Sequence, residues 1–439
     1  MGTTVDPKTS EGLLLMQVND LILVSADDHV IEPANMFDEH VPASYRDRAP
    51  RVVLDSGVER WVFDGEPAGA MGLNAVISWP KEEWGLDPVG FAEMRPGAYD
   101  IHERVRDMNR NGILASMCFP TFAGFSAGTF HAARDKDLSL MMLQAYNDWH
   151  IQEWCGTYPG RFIPLAIPPI WDPALVATEI RRVASQGCRA MSMPELPHMQ
   201  GLPSYNDLDY WAPVFGAASE ERVVMCMHIG QGFDAINGAP NGPIDNLIIL
   251  AGQVSMIAAQ DMLWGGALRT YPDLKVAWSE AGIGWVPFYL DRCDRHYKNQ
   301  RWLGHDFGGK LPSDVFREHS LSCYVTDPTA LKVRKDIGID TIAWECDYPH
   351  SDAIWPDAPE QVLAELNAAQ ASDEDIHKIT WQNSCRHFGF DPFEHTDRVQ
   401  ATVGNLRSQS PDVDTEIRSR TEWRALYEAK KVPNGVVKI

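Results

Sequence analysis

The sequence predicts an α/β chain built on a (β/α)8 TIM barrel, with a capping insertion after strand 1 and a C-terminal extension. Three observations carry this prediction. Eight short apolar runs alternate with longer helix-like segments, the rhythm of a parallel sheet wrapped by helices. The runs lack strict polar alternation, as expected of strands covered on both faces. The first run ends in Asp27-Asp28-His29, where an open doubly wound sheet would carry a glycine-rich nucleotide loop.

The strand candidates are residues 21–27, 114–120, 161–167, 188–193, 222–228, 275–280, 321–326 and 341–347. Helical patterns occupy 101–111, 138–158, 172–186, 209–221, 244–264, 285–302, 328–337 and 359–369. The third of these shows its signals openly, with Asp172 as N-cap, Pro173 in the first turn and Gly187 as the stop. Residues 38–99 form an insertion with hairpin-like runs at 51–54 and 59–63 and a Trp/Pro/Gly-rich stretch, expected to cap the barrel mouth. Residues 396–439 form a polar tail, weakly helical over 415–430. It is expected either as an arm on a neighbouring subunit, which suggests a homodimer, or as a loosely ordered segment. The domain plan is therefore a lead (1–20), the barrel (21–395) and the arm (396–439).

With 44% hydrophobic and 23% charged residues, the chain can bury a large core. Its net charge of -23, spread without runs of one sign, argues against nucleic acid, which needs clustered Lys and Arg. A small-molecule substrate is the expected partner. The first twenty residues hold only Leu13-Leu14-Leu15-Met16 as an apolar stretch, too short for a secretory signal or a spanning helix. The eight cysteines are scattered, with no C-x-x-C pair. The expectation is a cytoplasmic protein with no membrane association, its cysteines serving as small buried hydrophobes.

Chemistry in such barrels sits at the C-terminal strand ends, and there the polar residues gather. The first run ends at Asp27, Asp28 and His29, the fifth at His228, the sixth at Glu280, and the eighth at Glu345-Cys346-Asp347-Tyr348-Pro349-His350. On a strand, residues two apart share a face, so Asp27 and His29 both point into the mouth while Asp28 points away. Asp27, His29, His228, Glu280 and Asp347 are the main candidate metal ligands, with His228, Glu280 and Asp347 as catalytic candidates. Glu32 is a further ligand candidate or a cap for the next segment, and His350 is a ligand candidate or a surface turn residue. Glu195, after the fourth run, is a weaker functional candidate. Asn147, Asp148 and His150 are expected to anchor packing; His305, His319, His377 and His387 have no supporting context.

At these positions the sequence resembles the amidohydrolase-2 branch of the amidohydrolase superfamily. The matching text is SADDHVIEP (25–33), RVRDMNRNGI (104–113), AYNDWH (145–150), YPGRFIPLA (158–166), MHIG (227–230), SEAGIGWVPFYLDRCD (279–294) and ECDYPHSD (345–352). The resemblance implies metal ligands at Asp27, His29, His228 and Asp347. Two departures stand out. Asp27 replaces the first histidine of the common His-x-His pair, and Glu280 stands where many family hydrolases and decarboxylases carry an acid/base histidine. No lysine ends the fourth run to supply a carbamate bridge.

Counting carboxylates against imidazoles, the donor set is richer in carboxylate than structural zinc favours and suits a dinuclear centre. The preferred reading is a pair of irons in a non-heme diiron monooxygenase that hydroxylates a small acyl or carboxylated substrate. Trp61, Trp79 and Trp84 of the insertion would then shield its oxygen intermediate. The alternative is a zinc- or manganese-dependent hydrolase or decarboxylase in which a metal-bound water attacks an amide, ester or lactone with Glu280 as base. A metal-free binding scaffold leaves the polar strand ends unexplained.

Overall fold

The computed structural model describes residues 16–232, 235–236, 241–243, 245–430 and 437–438. Residues 1–15, most of the expected lead, lie outside them, as does Gly238 of the glycine-rich loop after the fifth strand.

All eight expected strands form, and all are buried. They are β1 (Leu23–Val30), β2 (Ile113–Pro120), β3 (Phe162–Ile163 and Leu165–Ala166), β4 (Ala190–Met193), β5 (Val224–His228), β6 (Val276–Ser279), β7 (Ser320–Tyr324) and β8 (Ile342–Trp344). Every neighbouring pair is parallel. The first half of β3 pairs with β2 and its second half with β4; Pro164 between them has no N–H to give the ladder. The circuit returns to its start where the Asp347 N–H donates to the Asp27 carbonyl (2.8 Å) and the His29 N–H to the Tyr348 carbonyl (2.7 Å). Inside, an apolar cluster takes residues from all eight strands, many of them small, such as Ala26, Ala190, Cys226, Ala277, Cys323 and Ala343. A larger cluster joins the outer strand faces to the helices.

Two strand ends depart from expectation. β1 runs on to Val30 because, past an irregularity between Ser25 and Asp28, it keeps pairing with β2 as far as Pro120. β8 stops at Trp344, since Asp347 adopts a left-handed backbone (φ 63°) that no strand accommodates.

The insertion builds an antiparallel sheet of Arg51–Asp55, Val58–Phe63 and Glu66–Pro67. Its first hairpin turns on Ser56 and Gly57, both with positive φ, as a two-residue turn between twisted strands requires. The described part of the tail packs against its own chain. The Val403 N–H donates to the Leu21 carbonyl, and Trp423 of helix Arg420–Lys430 packs on Val76 and Trp79 of the cap. Arg424 pairs with Glu93, and Val437–Lys438 adds a parallel strand beside Arg51–Asp55. The tryptophans expected to shield the site instead build the cap: Trp61 lies against Phe122 (4.3 Å), and the Trp84 Nε1–H donates to the Trp79 carbonyl. Among the described residues, no helix is long and apolar enough to cross a membrane.

Candidate metal centre

Five strand-end side chains converge at one rim. The His228 Nε2 lies 3.2 Å from Asp27 Oδ2, 3.2 Å from His29 Nε2 and 3.3 Å from Glu280 Oε2. The His29 Nε2 lies 3.2 Å from Asp347 Oδ1 and 3.6 Å from Asp27 Oδ1. His350 joins them, with Nδ1 2.9 Å from Asp347 Oδ1 and its ring stacked on His29 at 3.7 Å. Phe125, 4.1 Å from the His228 ring, walls the group.

What sets this cluster apart is its shortage of hydrogen-bond donors. His228 Nδ1 lies 2.6 Å from the Ile229 carbonyl; donating there leaves Nε2 as a lone pair aimed into the cluster. Both oxygens of Asp27 are buried with no hydrogen-bond donor among the described residues, and Asp347 Oδ1 faces the His350 and His29 imidazoles. Burial, reinforced by Asp347 and Asp28, pushes the Asp27 carboxyl far above its usual range, while burial and the neighbouring imidazoles push His29 far below its own. Electron-pair donors facing one another in a dry site repel unless a cation lies between them. The separations suit one: donors held about 2.1 Å from a common ion lie roughly 3.0–3.4 Å apart. Two groups, Asp27–His29–His228–Glu280 and His29–Asp347–His350, each bring donor atoms within 4.8 Å of one another. Glu280, its side chain 21% exposed, is where the cluster opens to solvent; Asp27, His29 and Asp347 are sealed.

Backbone strain accompanies the chemistry. Glu280 (φ 56°) and Asp347 (φ 63°) both sit in the left-handed region, which costs about 1–3 kcal/mol each and persists where surroundings fix it. Asp28, pointing away from the cluster, pins the closing seam. It accepts from Ser25 (3.2 Å), from Ser116 and from the Tyr348 N–H (3.0 Å), and burial still pushes its carboxyl up to about 6.

Glu32 is not brought into the cluster. Its oxygens accept the Thr121 N–H (3.0 Å), the Phe122 N–H (2.7 Å) and the Tyr146 hydroxyl (3.2 Å), so it anchors the loop after β2 in place of the expected ligand role. Glu195 is buried against Ser255 (2.6 Å) and belongs to neither donor group. Asn147 anchors packing as expected, accepting the Ile167 N–H and donating to Glu179. Glu345 was missed: buried, it accepts the Glu280 N–H through Oε1 (2.9 Å). Two-residue spacing from Asp347 gives no guide to it, because the chain leaves strand geometry there.

The sequence model of the family described as Amidohydrolase matches residues 40–390. The chain belongs to the amidohydrolase family. The match takes in His228, Glu280, Asp347 and His350 and begins after β1, so Asp27 and His29 precede it. No curated relative matches this amidohydrolase. Among solved structures, an amidohydrolase from Mycobacterium avium subsp. paratuberculosis is 19% identical with a TM-score of 0.64, covering 84% of this chain and 98% of that one. A 5-carboxyvanillate decarboxylase from Sphingomonas paucimobilis is 21% identical with a TM-score of 0.58, over 84% and 100%. A dihydroxybenzoic acid decarboxylase from a Polaromonas species, with bound manganese, is 20% identical with a TM-score of 0.51, over 73% and 92%. The likeness is one of fold, and it confirms the barrel. It gives the expected iron pair and oxygenase activity no support. The donor count behind them included Glu32, whose oxygens are already taken by backbone N–H groups and Tyr146.

Proposed function

We propose that this amidohydrolase is a divalent-metal-dependent decarboxylase of small carboxylated substrates, with manganese the leading metal and zinc the alternative. The carrying observation is the buried convergence of carboxylates and imidazoles around His29 and His228. It is supported by a barrel whose solved neighbours include decarboxylases, one of them with manganese. Asp27, His29, His228 and Asp347 would hold the ion. When bound, a divalent cation anchors substrate oxygens and withdraws electron density from them.

The remaining work falls to the chain's own side chains. Glu280, on the solvent side of the donors, faces an arriving substrate and holds the proton that the carbon receives as its bond to the carboxylate breaks. The electron pair of that bond stays on the carbon, and carbon dioxide leaves. His350, hydrogen-bonded to Asp347 and stacked on His29, fixes both orientations. Phe125 and Phe119, packed on His228, keep water from the inner side.

The test is to load the full chain with Mn2+ and offer 5-carboxyvanillate, 2,6-dihydroxybenzoate and a panel of lactones and esters, following carbon dioxide and acid release. Carbon dioxide release that vanishes on chelation is expected. Lactone or ester hydrolysis without carbon dioxide would make the chain a hydrolase, and iron-dependent oxygen uptake would restore the oxygenase reading.

A further inference from the structure

We infer that Glu345 is the positioning residue of Glu280, fixing the direction of that carboxyl toward His228; the inference rests on the proposed role of Glu280 as proton donor. The turn after β6, Glu280-Ala281-Gly282-Ile283, must reverse the chain within four residues, and it does so with Glu280 and Gly282 both left-handed. Glycine adopts that conformation freely; glutamate does not. Something outside the turn therefore holds Glu280 in place. The turn is gripped at both ends by carboxylates that follow β8 and β7. At its start, the Glu280 N–H donates to Glu345 Oε1 at 2.9 Å. At its end, the Ile283 N–H donates to Asp327 Oδ2 at 3.0 Å, and Asp327 is itself fixed by the Ala330 N–H.

Glu345 follows β8, two strands round from β6, with its own N–H tied to the Tyr324 carbonyl at the end of β7. Its reach thus spans three strand ends. It is fully buried, and Oε2 has no donor among the described residues. Burying a carboxylate so poorly satisfied is unfavourable, and its one evident contact is the strained residue of the proposed acid. Released from that bond, residue 280 would relax to a right-handed or extended backbone and swing its side chain off His228.

The test compares Glu345→Gln, which keeps a carbonyl acceptor, with Glu345→Ala and with Glu345→Met, which matches the length without an acceptor and serves if Glu345→Ala does not fold. In the Mn2+-loaded full chain, Glu345→Ala or Glu345→Met should lower kcat about 10²-fold with KM and metal content unchanged, as expected for a misplaced catalytic group. Glu345→Gln should restore most of the rate. Crystal structures of the variants supply a readout independent of turnover: Glu280 should leave the left-handed region and the His228 contact in the variants without an acceptor and keep both in Glu345→Gln. If the wild type releases no carbon dioxide, the proposed reaction fails while these structures still decide the positioning role. Glu280 unmoved in the variants without an acceptor, or Glu345→Gln as impaired as they are, would overturn the inference.

Discussion

Two buried polar clusters flank the segment Asp347-Tyr348-Pro349-His350, and they obey opposite rules. On its outer side, Arg95 donates to both oxygens of Asp107 (2.7 Å each), and the Tyr348 hydroxyl donates to Asp107 (2.6 Å). Arg104 gives its N–H groups to the Gly97 and His29 carbonyls while lying 4.3 Å over the Tyr348 ring. Each negative charge there meets a positive one, and the product is architecture: strand 1, the cap and the seam held in register. On the inner side, Asp27, His29, His228 and Asp347 crowd their electron pairs together, and among the described residues neither Asp27 oxygen receives a hydrogen bond. Polarity and burial are alike in the two clusters. The match of donors to acceptors is what separates a brace from a site.

The sharpest way to break this contrast is to remove a donor from the unmatched cluster. Asp27→Ala or His29→Ala should lower Mn2+ affinity by more than about 100-fold, the upper end for losing an outer-sphere partner, and should abolish turnover. For Asp27→Ala the metal-free protein should lose little stability, because neither Asp27 oxygen has a hydrogen-bond donor among the described residues. Calorimetric titration and thermal melts check both halves. The matched cluster should behave in the reverse way. Asp107→Ala leaves the buried Arg95 uncompensated and should cost about 3–5 kcal/mol in urea denaturation, with metal content per folded molecule unchanged.

Glu195 stands between the two cases, a buried acid with one hydrogen-bond partner among the described residues. Burial pushes its carboxyl from 4.5 up to about 8, with the Ser255 hydroxyl offsetting part of the rise. Between those values the folded chain holds a proton that the unfolded chain has lost, so stability from this group is full below pH 4.5 and is lost as pH rises toward 8. Glu195→Gln, which mimics the protonated form, should therefore raise Tm at pH 8 and leave it nearly unchanged at pH 4.5. An equal shift at both values would show that Glu195 does not titrate in this window. The smallest effect belongs to Glu32. Glu32→Gln keeps one acceptor for the loop after β2 and should cost about 1–2 kcal/mol without altering Mn2+ binding; a large fall in metal affinity would return Glu32 to the ligand set.

Much of this was legible in the sequence because it is local. The eight apolar runs name the strands, and two-residue spacing places Asp27 and His29 on one face, with Asp28 on the other. What was not legible depends on contacts between distant segments. Trp423 finds Val76 and Trp79 more than 300 residues away, so polarity and weak helical pattern alone left the tail unassigned. Glu32 looked like a ligand because it lies near the strand end, yet its direction is set by the Thr121 and Phe122 N–H groups, which spacing along β1 does not reveal. Glu345 was obscured because the chain leaves strand geometry at Asp347, where alternation stops predicting which way a side chain points.

The account stands most directly on one titration. The full chain, stripped with a chelator and titrated with Mn2+, should take up about one ion per molecule, and the double variant Asp27→Ala/His29→Ala should take up none. Undiminished uptake by the double variant, or no uptake by the wild type, would contradict it.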